Sequence, residues 1–147
     1  MNIAIVGATG NVGRKTLEVL EKKELFIDNL YLVASSKSAG KKISFKDKEH
    51  EVFDLENFDF SKVKIAFFAA GGKISEKFAE KAAKYCIVID NSSFYRMDPD
   101  VPLIVPQVNS DDLKNNKKNI IANPNCSTAQ LVIALKPLHD LFVIKRI

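Results

Sequence analysis

The chain has 147 residues, the length of one ordinary domain, and two full domains do not fit in it. With 46% hydrophobic and 27% charged residues it can bury something like 70% of the surface its unfolded form exposes, which predicts a soluble globule. The net charge of +4 comes largely from Lys41, Lys42, Lys46, Lys48, Lys114, Lys117 and Lys118, a mild excess that suits solvated turns better than a nucleic-acid surface. No apolar run approaches the roughly 20 residues of a bilayer span. Met1 leads directly into an apolar run with no basic leader or cleavage site, so no membrane partner and a cytoplasmic location are expected. Cys86 and Cys126 are too few for a disulfide scaffold and read as two reduced thiols.

Five short apolar runs, Asn2–Val6, Leu30–Ala34, Lys64–Ala69, Cys86–Asp90 and Asn119–Asn123, are nearly continuous, as strands buried on both faces should be. Val12–Lys23 and Ile74–Lys84 carry apolar residues at three- and four-residue spacing opposite Lys and Glu, and are predicted as helices. The order is β-α-β, the pattern of a doubly wound parallel sheet covered by helices. Lys41–Phe53, apolar on either side of Lys46-Asp47-Lys48-Glu49, predicts a small inserted hairpin. Leu103–Val105 lies between Pro102 and Pro106 and belongs at an edge or in a loop. Ala129–Leu138 is predicted as a last helix, with Ser127 or Thr128 near its start.

The first run ends in Gly7-Ala8-Thr9-Gly10-Asn11-Val12-Gly13, and a helix opens inside that motif. Glycines at this spacing let the backbone turn sharply and approach a pyrophosphate, while the helix start offers free N–H groups and a positive dipole end. The motif is therefore a candidate dinucleotide site. About twenty residues on, where an NAD site presents an acid to the ribose, stands Ser35-Ser36-Lys37-Ser38-Ala39-Gly40. Three hydroxyls and one cation suit a 2′-phosphate, which favours NADP.

Ligands of open α/β sheets collect beyond the carboxyl ends of the strands. The other loops there are Ala70-Gly71-Gly72, Asn91-Ser92-Ser93 and Asn123-Pro124-Asn125-Cys126-Ser127-Thr128. Cys126 stands just before a helix, where the dipole stabilises a thiolate and nearby amides could hold an oxyanion, so it is the candidate nucleophile. Cys86 begins a buried run and reads as a small core residue. Arg96 could grip a phosphate or carboxylate bidentately, or could pair with Asp98 or Asp100.

Together GATGNVG at Gly7–Gly13, SSKSAG at Ser35–Gly40, AAGG at Ala69–Gly72, DNSSFYRMDPDVPLIVPQVN at Asp90–Asn109 and NPNCST at Asn123–Thr128 resemble the amino-terminal part of an aspartate-semialdehyde dehydrogenase. The resemblance implies a Rossmann-type, mainly parallel sheet and NADPH-dependent reductive dephosphorylation of aspartyl 4-phosphate on the route to lysine, threonine and methionine. It implies Cys126 as the nucleophile forming a thioacyl intermediate, Asn125 beside it, and Arg96 on the phosphate-bearing end of the substrate. Gly7, Thr9, Gly10, Asn11, Val12 and Gly13, with Ser35, Ser36, Lys37, Ser38, Gly71, Gly72 and Ser92, would line the cofactor site. Lys37 stands where the family is associated with Arg, and Gln107 where a Glu is frequent.

The same resemblance places residues 1–141 in the NADP-binding domain and 142–147 at the entry to a second catalytic and dimerisation domain that is missing here. That domain would supply a His base, further substrate-binding residues and most of a homodimer or dimer-of-dimers interface. His50 and His139 match no such base. The chain alone is expected to bind NADP without catalysing, and its apolar end, Phe142–Ile147, to fray as an unpaired strand or find another chain. Two other readings are an N-acetyl-glutamyl-phosphate reductase, disfavoured by SSKSAG and NSSFYRMDPD, and a nucleotide-sensing module without chemistry, which would not need Cys126.

Overall fold

A computed structural model describes residues 1–147. Seven strands form one sheet in the order β3-β4-β2-β1-β5-β6-β7. They are β1 Ile3–Val6, β2 Leu30–Ala34, β3 Lys42–Phe45, β4 Lys48–Asp54, β5 Ile65–Phe68, β6 Ile87–Asp90 and β7 Ile120–Ala122. All neighbours are parallel except the edge pair β3 and β4. The five predicted runs and the hairpin are all present. The hairpin is joined to the sheet, because β4 also pairs with β2, setting Val52 against Leu32 and Asp54 against Ala34. Its tight turn places Lys46 and Asp47 at φ 47° and 61°, and the Lys46 amide donates to Glu21 Oε1 at 2.7 Å. Leu103 makes one isolated parallel bridge to Ala122, as its flanking prolines suggest.

Helix α1, Asn11–Lys22, buries Leu17 and Leu20 on one face of the sheet against Ile3, Ile5, Leu30 and Leu32. Helix α2, Gly72–Ala83, buries Phe78, Ala79, Ala82 and Ala83 on the other, against Ala4, Val6, Val33, Ala66, Phe68 and Val88. Short helix α3, Pro106–Asn109, precedes a 3₁₀ segment at Ser110–Asn115. No helix is long and apolar enough to cross a membrane.

Two expectations need correction. The strands are apolar on both sides, yet only β1 and most of β2 are buried on both. On the α1 side β5, β6 and β7 carry Ile65, Phe67, Ile89 and Ile121 half-buried and Ile87 42% exposed, because no helix of this chain covers that half. The second correction concerns the end of the chain. Helix α4 runs over Cys126–Phe142, passing Pro137 and the predicted end at Leu138. The Lys136–Asp140 ion pair, one turn apart at 2.6 Å, supports the helix across the proline. Phe142 is thus helical, and no strand follows. Val143 turns left-handed at φ 53°, its amide donates to the His139 carbonyl, and Ile144 and Ile147 border a cavity with Val132 and Leu135 of α4. No residue of α4 is buried, and the helix packs chiefly against α3.

Candidate functional site

The strand order reverses direction between β1 and β5, so the crevice beyond their carboxyl ends is where an open α/β sheet takes its ligand. The loops from β1 into α1 and from β5 into α2 meet there. Gly7 has φ +87°, and a Cβ on it would lie 2.8 Å from the Ala69 backbone. A Cβ on Gly13 would lie 2.2 Å from the Gly7 carbonyl oxygen, so the motif is closed on itself as tightly as backbone allows. Gly10 and Gly71 stand immediately before α1 and α2. Neither helix has a side-chain cap or an acidic residue in its first turn, so both starts present free N–H groups and a positive dipole end, which suit an anionic ligand. Thr9 is half-buried, and Asn11 and Val12 are exposed at the mouth.

Beyond β2, Ser35, Ser36 and Lys37 are exposed on a 3₁₀ turn with Ser38 half-buried. Ser35 and Ser36 border a cavity of about 300 Å³ with Ala34, Asp54, Leu55, Glu56, Ala70, Ile74 and Phe78. Two acids that sequence reading missed thus stand near this loop, brought in by the pairing of β4 with β2. Both are committed elsewhere. Asp54 accepts from the Glu56 amide and Asn57 Nδ2, and Glu56 pairs with Lys77.

Arg96 does not pair with Asp98 or Asp100, which are held by Lys118 and Lys117, each at 2.8 Å. The Lys118 ammonium keeps the Asp98 carboxyl below the usual carboxylate range. Instead Arg96 Nε donates to the Asn123 carbonyl at 3.0 Å and Nη2 to the Asn91 carbonyl at 3.2 Å. Asn123 Nδ2 in turn donates to Asn91 Oδ1 at 2.6 Å, so the loops after β6 and β7 are tied together. The guanidinium therefore sits three residues in sequence from Cys126 through the Asn123 carbonyl it holds.

Cys126 is exposed as the first residue of α4. Asn125 caps that helix with Oδ1 accepting from the Ser127 amide at 2.9 Å, and the Cys126 sulfur is 3.9 Å from the same oxygen. Cys86 is a core thiol, 7% exposed, directed at the Ala82 carbonyl and pushed up to about 11 by burial. Ser92 is 7% exposed and turned inward, its hydroxyl donating to Asp90 Oδ2 at 2.7 Å. Asp90 and its buried partner Ser75 were not singled out from the sequence, although an acid closing the apolar run Cys-Ile-Val-Ile-Asp was a usable sign.

Residues 2–116 match the family described as the semialdehyde dehydrogenase NAD-binding domain. The aspartate-semialdehyde dehydrogenase of Legionella pneumophila is 52% identical over 149 residues, covering 100% of this chain and 43% of the relative. That of Aquifex aeolicus is 55% identical, over 99% and 44%. A crystal structure of aspartate semialdehyde dehydrogenase II from Vibrio cholerae, complexed with ASA, superposes with a TM-score of 0.96 at 50% identity, over 99% of this chain and 48% of that one. The Candida albicans enzyme, solved with NADP, superposes at 0.73 with 32% identity, over 97% and 48%. The chain spans less than half the length of these relatives. By the match over most of its length, the chain belongs to the semialdehyde dehydrogenase family as its NAD-binding domain, similar throughout to the amino-terminal part of the aspartate-semialdehyde dehydrogenases.

Proposed function

We propose that this chain is the NADP-binding, thiol-bearing part of an aspartate-semialdehyde dehydrogenase, which reduces L-aspartyl 4-phosphate to L-aspartate 4-semialdehyde and releases phosphate. The observation that carries the reading is the anchoring of Arg96 on the carbonyls of Asn91 and Asn123, which sets a cation beside the loop that delivers Cys126. Cys126 Sγ bonds to the acyl carbon, the bond from that carbon to the phosphate oxygen breaks with its electron pair on phosphate, and a thioacyl ester is left on the protein. Arg96 stabilises the charge on the departing phosphate, and Asn125 fixes the first turn of α4. The nicotinamide group supplies the hydride when bound. As the aldehyde forms, its carbon–sulfur bond breaks and Cys126 leaves as thiolate.

NADP is the cofactor in this reading. The paired uncapped helix starts accommodate the pyrophosphate, and Ser35, Ser36, Lys37 and Ser38 the 2′-phosphate, with Asp54 and Glu56 already neutralised or hydrogen-bonded. Thr9, Gly72 and the outer edge of the Ser92 loop line the path between them. In this reading the His base, the remaining substrate contacts and the dimer interface implied by the resemblance come from polypeptide beyond these residues, and the chain by itself is expected to bind NADP without turnover. The domain border, expected after Leu141, falls in this reading near Asn125, since α4 buries nothing in this core. A cytoplasmic location and no nucleic-acid partner accompany the reading.

A chimera of this chain with the remaining length of the Legionella relative tests it. The expected result is NADPH formation that requires both aspartate semialdehyde and phosphate and is abolished by Cys126→Ser. A folded chimera that binds NADP but stays inert, beside an active Legionella enzyme, overturns it.

A further inference from the structure

The most deeply buried acid of the molecule lies behind the substrate loop. Asp90 closes β6 with no exposure at all and is met by no cation. Its carboxylate is satisfied by three donors instead. Oδ1 accepts from the Ser75 hydroxyl at 2.7 Å and the Ser92 amide at 3.0 Å, and Oδ2 accepts from the Ser92 hydroxyl at 2.7 Å. The Ser92 oxygen accepts in turn from the Phe94 amide at 3.1 Å. Ser75 is also fully buried and belongs to the first turns of α2, the helix whose uncapped start forms the cofactor crevice.

We propose that Asp90 is a positioning residue for Arg96, acting through Ser92, with Ser75 tying it to α2. The chain of bonds is short. Asp90 fixes both the amide and the hydroxyl of Ser92, Ser92 fixes Phe94, and two residues later Arg96 returns to the carbonyls of Asn91 and Asn123. An apolar residue at position 90 would leave the buried Ser75 hydroxyl and both Ser92 donors unpaired and could not hold the loop. The carboxylate accepts from all three donors, where an amide would turn one acceptor into a donor. A buried acceptor set of this kind specifies one loop geometry, since any other leaves polar groups unpaired. The inference rests on the role proposed above for Arg96 in holding the phosphate end of the substrate.

The test uses the whole chain labelled with ¹⁵N-arginine. Only Arg14, Arg96 and Arg146 give signals, and Arg96→Lys identifies the one of interest. Two quantities are read from the Arg96 Nε–H: its hydrogen exchange in the free protein and its response to inorganic phosphate. In Ser75→Ala, which removes one donor and keeps the helix, Nε–H exchange should quicken and the phosphate Kd rise, each by roughly two- to tenfold. Amide exchange in β1 should stay as in the wild type, which a general loss of stability would not allow. Asp90→Asn should act in the same direction, and Ser75→Ala decides the matter if Asp90→Asn does not fold. Unchanged Arg96 exchange and unchanged phosphate affinity in Ser75→Ala overturn the inference. A wild-type Arg96 signal that ignores phosphate while its exchange still quickens in Ser75→Ala supports Asp90 as the positioning residue and overturns the phosphate role of Arg96.

Discussion

Arg96 Nε donates to the Asn123 carbonyl across 27 residues of sequence, and this bond joins the loop after β6 to the loop that leads into α4. Arginine serves two carbonyls at once because its donors form a rigid fork. A lysine reaches only one of them. Arg96→Lys should therefore cost about 1–3 kcal/mol of stability, seen as a lower urea midpoint with an unchanged slope. An unchanged midpoint would show that the two bonds are not held in solution.

The glycines of the first loop should differ sharply in tolerance. A Cβ on Gly13 meets the Gly7 carbonyl oxygen at 2.2 Å, whereas on Gly10 the nearest atom is 3.4 Å away. Gly13→Ala should lose about 1–3 kcal/mol or more by overpacking, together with cofactor binding. Gly10→Ala should cost about 1 kcal/mol or less, as a helix cap changed to alanine. Thermal melts of the two variants decide it, and equal Tm values would contradict the close approach.

Cofactor preference should follow Lys37. NADPH is expected to bind more tightly than NADH, and Lys37→Glu to weaken NADPH by about tenfold or more, removing the preference. Fluorescence titration with both cofactors reads this directly. Equal wild-type affinities would remove the 2′-phosphate from the Ser35–Ser38 turn.

The two thiols should separate by exposure. Iodoacetamide at neutral pH should alkylate exposed Cys126 and spare Cys86, read by peptide mass spectrometry. Cys86 is raised from an ordinary value of 9.0 to about 11 by burial. Tyr95 is raised from 10.0 to about 12, first by burial and then by Glu80 and Asp90. In both cases the unfolded chain gives up its proton more easily than the folded one, so stability falls as pH rises through the interval. The loss should begin near pH 9 for Cys86 and near pH 10 for Tyr95, and reach about 2–3 kcal/mol per group at its upper end. Cys86→Ala should flatten the first part of the alkaline decline in urea midpoint. A wild-type curve level from pH 8 to 11 would disprove both shifts.

Runs such as Ile3–Val6 and Leu30–Ala34 were legible because buried parallel strands leave continuous apolar stretches in sequence. The glycine motif and Cys126 were legible because each declares itself within a few neighbouring residues. The partners of Arg96 were not, since backbone carbonyls leave no mark in sequence and Asn123 lies 27 residues away. Asp90 was hidden for a similar reason: its meaning depends on Ser75, which helix α2 brings back over β6. The bare side of β5–β7 was misread because apolar residues record that a face is to be covered, not which segment covers it. Phe142 was misread because the apolar Phe142–Ile147 segment looks like a strand, although α4 continues through Pro137 to Phe142.

Helix α4 carries Cys126 at its first residue, packs chiefly against α3 and has no fully buried residue along its length. Arg96, by contrast, is fastened to the sheet through Asn91, Asn123 and the Asp90 relay. Under the proposed roles, thiol and cation thus differ in anchorage, one at the start of a helix with no buried residue and the other held by two carbonyls of the loops beyond the sheet. Local opening of α4 should therefore displace Cys126 sooner than Arg96, whose hydrogen bonds lie within the loops after β6 and β7.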